Sequence, residues 1–256
     1  MIPWGEKMKK QIHTSPVAAA FLSEDECPFC YLEKDAEQRA IRFFAGPSAS
    51  YMEPSIRGLT NRLGFCGNHM KKLYDYGNVL GNALMLQSHM EDMLLDLQQY
   101  AAPPEKQGKA GLFQKKSTLH TSPTQHFQQR IHSCAICNQQ EESMERHYKV
   151  FFSLIAEPEF QAYVQQSKGF CLKHYVQLLQ AAESQLPGKY ASWFYPTIHA
   201  VMQQHFLRVK EDLDLLIAKH DYRNAALDWG NAKDSIPRAM QKLSGMDPTE
   251  APFKKE

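Results

Sequence analysis

The sequence predicts an all-α protein made of two duplicated helical halves, each with a Cys3His zinc site, packed with pseudo-two-fold symmetry. Three observations lead to this reading. The six cysteines of the 256-residue chain fall into two groups of three with one layout. Apolar residues recur every three or four positions through the long segments, which is the spacing of one helix face. A shift of roughly 105 residues superposes much more than the cysteines, as an internal repeat does.

The cysteine layout comes first. CPFC at 27–30 is followed by GFCGNH at 64–69, and CAIC at 134–137 is followed by GFCLKH at 169–174. A CxxC sets two sulfurs side by side across a tight turn or a helix start. A CxxH sets a sulfur and an imidazole one helical turn apart on the same face. Together they form a Cys3His tetrahedron of the kind Zn(II) accepts, with Zn–S near ~2.3 Å. The spacing therefore predicts eight metal ligands. They are grouped by proximity in sequence as Cys27, Cys30, Cys66 and His69 in one site, and Cys134, Cys137, Cys171 and His174 in the other. The exchanged pairing, Cys27 and Cys30 with Cys171 and His174, is the alternative. Four protein ligands leave no open position, so both sites are expected to be structural rather than catalytic. Two zinc ions per chain is the expected load, with an iron–sulfur cluster as the second option.

The elements follow in order. After each CxxC comes a charged amphipathic stretch, YLEKDAEQRAIRFFA in the first half and NQQEESMERHYKVFFSLI in the second, both read as helix. A proline then ends or bends the helix in each half, within GPSASYMEP and near Glu157-Pro158. Each GFCxxH opens another helix, and each half continues into a long one. In the first half Val79, Ala83, Leu86, Met90, Met93 or Leu94, and Leu97 form an apolar stripe. In the second Ile198, Val201 or Met202, His205, Val209, Leu213, Leu216 and Ile217 do the same. Both stripes are expected to face the core.

The resulting organisation is a first zinc-binding helical repeat at 12–100, a basic flexible linker at 101–126, a second zinc-binding repeat at 127–223 and a C-terminal extension at 224–256. The linker is rich in Pro, Gly, Lys and Thr. In the extension, Asp234 to Leu243 is expected to form a short helix with Pro237 in its first turn.

Composition narrows the function classes. Apolar content of 43% and charged content of 22% are globular values. Lys and Arg total 29 against 28 Asp and Glu, so bulk charge gives no support to nucleic-acid binding. No run is apolar enough to span a membrane, and the first residues lack the apolar region of a secretory signal. A cytoplasmic protein, in which thiols stay reduced, is therefore expected. None of the motifs GxSxG, P-loop, GxGxxG after a strand or HExxH is present, so no catalytic residue is named. The expected role is a cytosolic interaction or regulatory module with a protein partner. A thiol redox switch that releases zinc and a nucleic-acid-binding protein are the alternatives.

The stretches CPFC, GPSASYMEP, LGFCGNH, ALMLQSH, SKGFCLKH, KHDYRN and WGNAKDSIPRAMQKLSG, with TSPV before the first CxxC, resemble a bacterial family known as the domain of unknown function numbered 6062. The resemblance runs from about Ile12 to Gly245 and supports the architecture without implying an activity. CAIC departs locally from CPFC in lacking the proline, which leaves its two sulfur ligands intact.

Overall fold

A computed structural model describes residues 15–48, 50–101, 122–224 and 226–249. Among them are eleven α-helices, short 3-10 turns and no strand. In chain order the helices are α1 (Pro16–Phe21), α2 (Pro28–Ala45), α3 (Pro54–Leu63), α4 (Gly67–Tyr76), α5 (Val79–Gln99), α6 (Pro123–His132), α7 (Ala135–Leu154), α8 (Pro158–Gln166), α9 (Leu172–Gln185), α10 (Ala191–Lys219) and α11 (Ser235–Ser244). The expected linker at 101–126 lies largely outside the described residues. Its last part is helical, because α6 opens at Pro123 on a capping box in which Ser122 and Gln125 satisfy each other's backbone N–H groups.

The described residues form two compact units that cut across the sequence halves. One holds residues up to Ala36 together with those from Glu142 onward, and the other runs from Glu37 to Glu141. The divisions fall inside α2 and α7, so each CxxC helix is shared between the units.

The first unit is built on an aromatic core. Phe21, Phe29, Phe151, Phe160 and Phe170 are all buried. Their rings meet mostly edge-on, with Phe21–Phe160 centroids at 5.3 Å and Phe151–Phe160 at 5.5 Å, in the arrangement the ring quadrupole favours. Along α10, Ile198, Val201, Met202 and Val209 are buried, so the expected stripe faces the core as far as Val209, whereas Ile217 at its end is exposed. The terminal helix α11 begins one residue from the expected position and carries Pro237 in its first turn. It buries polar rather than apolar side chains. Lys242 donates to the Glu26 carbonyl at 2.6 Å and to the Lys168 carbonyl, and it faces the Glu26 carboxylate at 3.3 Å. Arg208 takes the same carboxylate at 2.5 Å, so this buried acid has two cations.

The second unit packs Ile41, Phe44, Phe65, Leu73, Met85 and Ile136 together. Helix α5 meets α3 through Ser88, which donates to the Asn61 side chain at 2.6 Å and accepts from Arg57 Nε at 3.1 Å. The stripe expected to bury α5 does not do so. Val79, Ala83, Leu86, Met90, Leu94 and Leu97 are exposed, and the buried positions are Gly81, Met85 and Ser88 on the other side of the helix. The reason is local. Asn78 caps the helix through the Gly81 N–H and ties itself to the Ala45 carbonyl, which turns the small and hydroxyl-bearing side inward.

The Glu-Pro pairs open helices in both units. Glu53 and Glu157 occupy the N-cap positions of α3 and α8, with Pro54 and Pro158 at the first turn, where the missing N–H costs nothing.

Candidate metal centres

Each GFCxxH is placed by the same local device. Gly64 and Gly169 have φ of 59° and 79°, which side-chain-bearing residues rarely adopt. A Cβ on Gly64 would lie 2.7 Å from His89 Nε2, and one on Gly169 would lie 3.3 Å from the Val201 carbonyl. Phe65 and Phe170 then turn into the cores. Cys66 and Cys171 follow as the N-caps of α4 and α9, where the positive helix end favours a thiolate. Three residues on, His69 and His174 return to the same side of the helix.

The CxxC helix starts are brought to these points by backbone ties. In the second unit the Ala135 N–H bonds the Gly64 carbonyl at 3.0 Å and the Ser133 hydroxyl bonds the Leu63 carbonyl at 2.7 Å. Arg130 reaches the carbonyls of Asn61 and Arg62. These bonds seat CAIC against GFCGNH. In the first unit Asp25 accepts from the Cys27 N–H at 3.0 Å and from Gln241 at 2.7 Å, while Lys168 bonds the Glu24 carbonyl at 2.7 Å. CPFC is thereby seated against GFCLKH.

Two clusters result. Cys27, Cys30, Cys171 and His174 form one, and Cys66, His69, Cys134 and Cys137 form the other, with all four donor atoms in each within 4.8 Å of one another. In the first, His174 Nδ1 lies 3.5, 3.4 and 3.2 Å from the sulfurs of Cys27, Cys30 and Cys171. In the second, His69 Nδ1 lies 3.2, 3.3 and 3.3 Å from those of Cys66, Cys134 and Cys137. One imidazole nitrogen has one lone pair or one proton, so it cannot bond three sulfurs at once. Donors at tetrahedral corners around a single Zn(II), with Zn–S near ~2.3 Å, would stand roughly 3.5–3.8 Å apart. The observed S···N edges, together with S···S edges of 3.6 Å (Cys30–Cys171) and 3.9 Å (Cys66–Cys137), are close to that shape. Three sulfurs and one nitrogen are also a suitable donor set for zinc, so the residues present fit one ion per cluster.

Electrostatics point the same way. Hydrogen bonds from Cys27 and Cys30 pull the Cys171 thiol far down, while Cys171 and Cys27 drive the Cys30 thiol far up. Burial raises the Cys134 thiol, but the His69 contact overrides it and brings it down to about 6. Thiols this close resist ionising together, and a dication is what allows all three to do so.

The other ring nitrogen of each histidine meets a carboxylate. His69 Nε2 lies 2.9 Å from Glu37 and His174 Nε2 lies 3.4 Å from Glu33. Lys72 and Lys173 each hold their acid at 2.6 Å. Burial opposes ionisation of Glu33 and Glu37, but the facing histidines and lysines outweigh it and hold both below the usual carboxylate range. At His69 the hydrogen bond that Nε2 donates to Glu37 fixes the tautomer that presents Nδ1 to the cluster, whereas His174 Nε2 makes no hydrogen bond and only faces Glu33.

The family described as "Family of unknown function (DUF6062)" matches residues 8–250. The chain belongs to this family. The DUF6062 chain is also 21% identical over 209 residues to a protein of Caldicellulosiruptor sp. (strain Rt8B.4) named "Uncharacterized 23.9 kDa protein in xynA 3'region", covering 80% of this chain and 88% of that relative. No solved structure matches it.

All eight residues expected as ligands in this DUF6062 protein thus lie in clusters, but the grouping by sequence proximity is corrected. Each cluster takes its CxxC from one sequence half and its CxxH from the other. The spacer lengths gave no warning, since they are similar within both halves. Sequence reading also missed Glu33 and Glu37, which both lie on α2. With Cys27 aligned on Cys134 they fall on Gln140 and Met144, so the repeat offers no second copy of these acids. It missed Gly245 as well, whose α-carbon faces the first cluster; a Cβ there would lie 3.4 Å from Cys171 Sγ. The clusters differ in access. All four residues of the first are buried, whereas Cys66 and Cys137 of the second are half-exposed. His89 and His199 stand outside both clusters, His89 bonded to the Asn61 carbonyl at 2.7 Å and His199 to the Tyr175 hydroxyl.

Proposed function

We propose that this protein is a cytoplasmic, zinc-stabilised helical module that serves a protein partner rather than a reaction of its own. The observation that carries the reading is the convergence of three sulfurs on a single Nδ1 in each cluster. Zn(II) bound there would offset two of the three thiolate charges and tie helix starts that are far apart in sequence, which is folding free energy. Four protein donors complete a tetrahedral shell, as structural zinc sites do. Donor atoms within 4.8 Å of each other favour one ion over an iron–sulfur cluster, which spreads its ligands across several irons. The cytoplasmic assignment rests on six cysteines without a disulfide, and among the described residues no helix is long and apolar enough to cross a membrane. Elemental analysis of the untagged protein is the test. Two zinc per chain, with loss of helix on chelation, is the expected result; a folded, metal-free protein would refute the reading.

A redox role is favoured at the second cluster alone, because its Cys66 and Cys137 are half-exposed while the first cluster is closed. Zinc-bound thiolates in reach of an oxidant can form a disulfide and release the metal. Peroxide titration should release one zinc per chain before the other; retention of both with all six thiols reduced would exclude a switch.

A further inference from the structure

The apolar stripe on α5 lies on the far side of the helix from its buried face. Val79 is 80% exposed, Leu86 41%, Met90 64%, Leu94 55% and Leu97 53%. At the Leu86 level the stripe runs into an apolar groove of ≈ 200 Å³ lined by Phe65, Met70, Leu73, Tyr74 and Met85. On ordinary residue areas the stripe with Met70 and Tyr74 exposes roughly 800 Å². That exceeds the ~300–600 Å² of the largest patch on a typical monomer and equals the ~800 Å² each partner gives to a standard stable interface.

We infer that α5 is the contact between two copies of this chain, packed helix against helix about a two-fold axis. The spacing suits self-pairing. The exposed Val79, Leu86, Met90 and Leu97 are arranged symmetrically about Ser88. Antiparallel pairing therefore sets the exposed Val79 against Leu97 and Leu86 against Met90. Parallel pairing would face Ala83 with Ala83 and leave a gap. An isologous contact needs one patch complementary to itself, and this stripe supplies it. The inference does not depend on metal, since none of the eight ligands is in the stripe.

The test is the mass of the full, metal-loaded chain by sedimentation equilibrium. The wild type should have twice the chain mass. Leu86→Glu with Met90→Glu should have the chain mass, with unchanged metal content and helical circular dichroism. Met240→Glu, on a separate exposed apolar patch of α11, should leave the dimer intact. Mixing Val79→Cys chains with Leu97→Cys chains should give a mixed disulfide that neither gives alone. A monomeric wild type, a dimer that survives the double substitution, a dimer broken by Met240→Glu, or self-linking of Val79→Cys would each overturn the antiparallel α5 dimer.

Discussion

Cys30 Sγ and Cys171 Sγ lie 3.6 Å apart although 141 residues separate them in the chain. Both stand within 3.4 Å of His174 Nδ1, while Cys66, nearer to Cys30 in sequence, faces Cys137. This crossed pairing makes a counting prediction. Cys30→Ser combined with Cys171→Ser damages one cluster and should leave one zinc per chain. Cys30→Ser combined with Cys66→Ser damages both and should leave none. Pairing within sequence halves gives the opposite pair of counts, so native mass spectrometry of the two double variants decides between them.

The ligand types and the helices were legible in the sequence because each rests on local rules. CxxC and CxxH spacing is a property of one helical turn, and apolar periodicity is a property of one helix face. The partner of each half-site was not legible, because it depends on ties such as Ala135 N–H to Gly64 carbonyl and Lys242 to the carbonyls of Glu26 and Lys168. Such bonds leave no pattern in either strip of sequence. The side on which α5 is buried was misread for a related reason. Periodicity locates an apolar face without saying what covers it, and on α5 the packed face is made of Gly81, Met85 and Ser88.

The two clusters should give up metal at different rates. Cys66 and Cys137 are half-exposed, whereas the first cluster is closed by Gly245 after α11, with a Cβ at that position only 3.4 Å from Cys171 Sγ. A strong chelator should therefore remove zinc in two phases of equal amplitude. Cys66→Ser should abolish the fast phase alone. Gly245→Ala should accelerate the slow phase, because φ of 79° resists a side chain. Stopped-flow chelation with a zinc-sensitive dye reads both phases, and a single phase in the wild type would contradict the asymmetry.

Glu37 and Glu33 should matter to the metal without touching it. Glu37→Gln keeps the shape but weakens the grip on His69 Nε2, so affinity at the second cluster should fall by about 10- to 100-fold, as for other carboxylate–histidine pairs. Glu33→Gln should cost less at the first cluster, since its contact with His174 is longer at 3.4 Å. Competition titration against a chelator of known affinity checks both. Equal, negligible losses would mean the carboxylates only neutralise Lys72 and Lys173.

His205 sets a pH dependence outside both clusters. Burial, then the charges of Lys242 and Arg208, push its ring down to about 4. Arg208 Nε donates to Nδ1 at 3.1 Å, which requires a free lone pair there and so a neutral ring. The unfolded chain takes up this proton near the ordinary histidine value of ~6.5, before the folded chain does. The unfolded state therefore binds more protons between those two values, and folding stability rises with pH across that window. The contribution is complete above ~6.5 and declines as pH falls toward about 4. His205→Gln keeps an acceptor for Arg208 and removes the titration. Urea unfolding of both proteins across this range should show the wild type losing stability relative to the variant as the solution is acidified. Taking the difference cancels proton-driven metal release, which is common to both, and parallel curves would show that His205 is not held neutral.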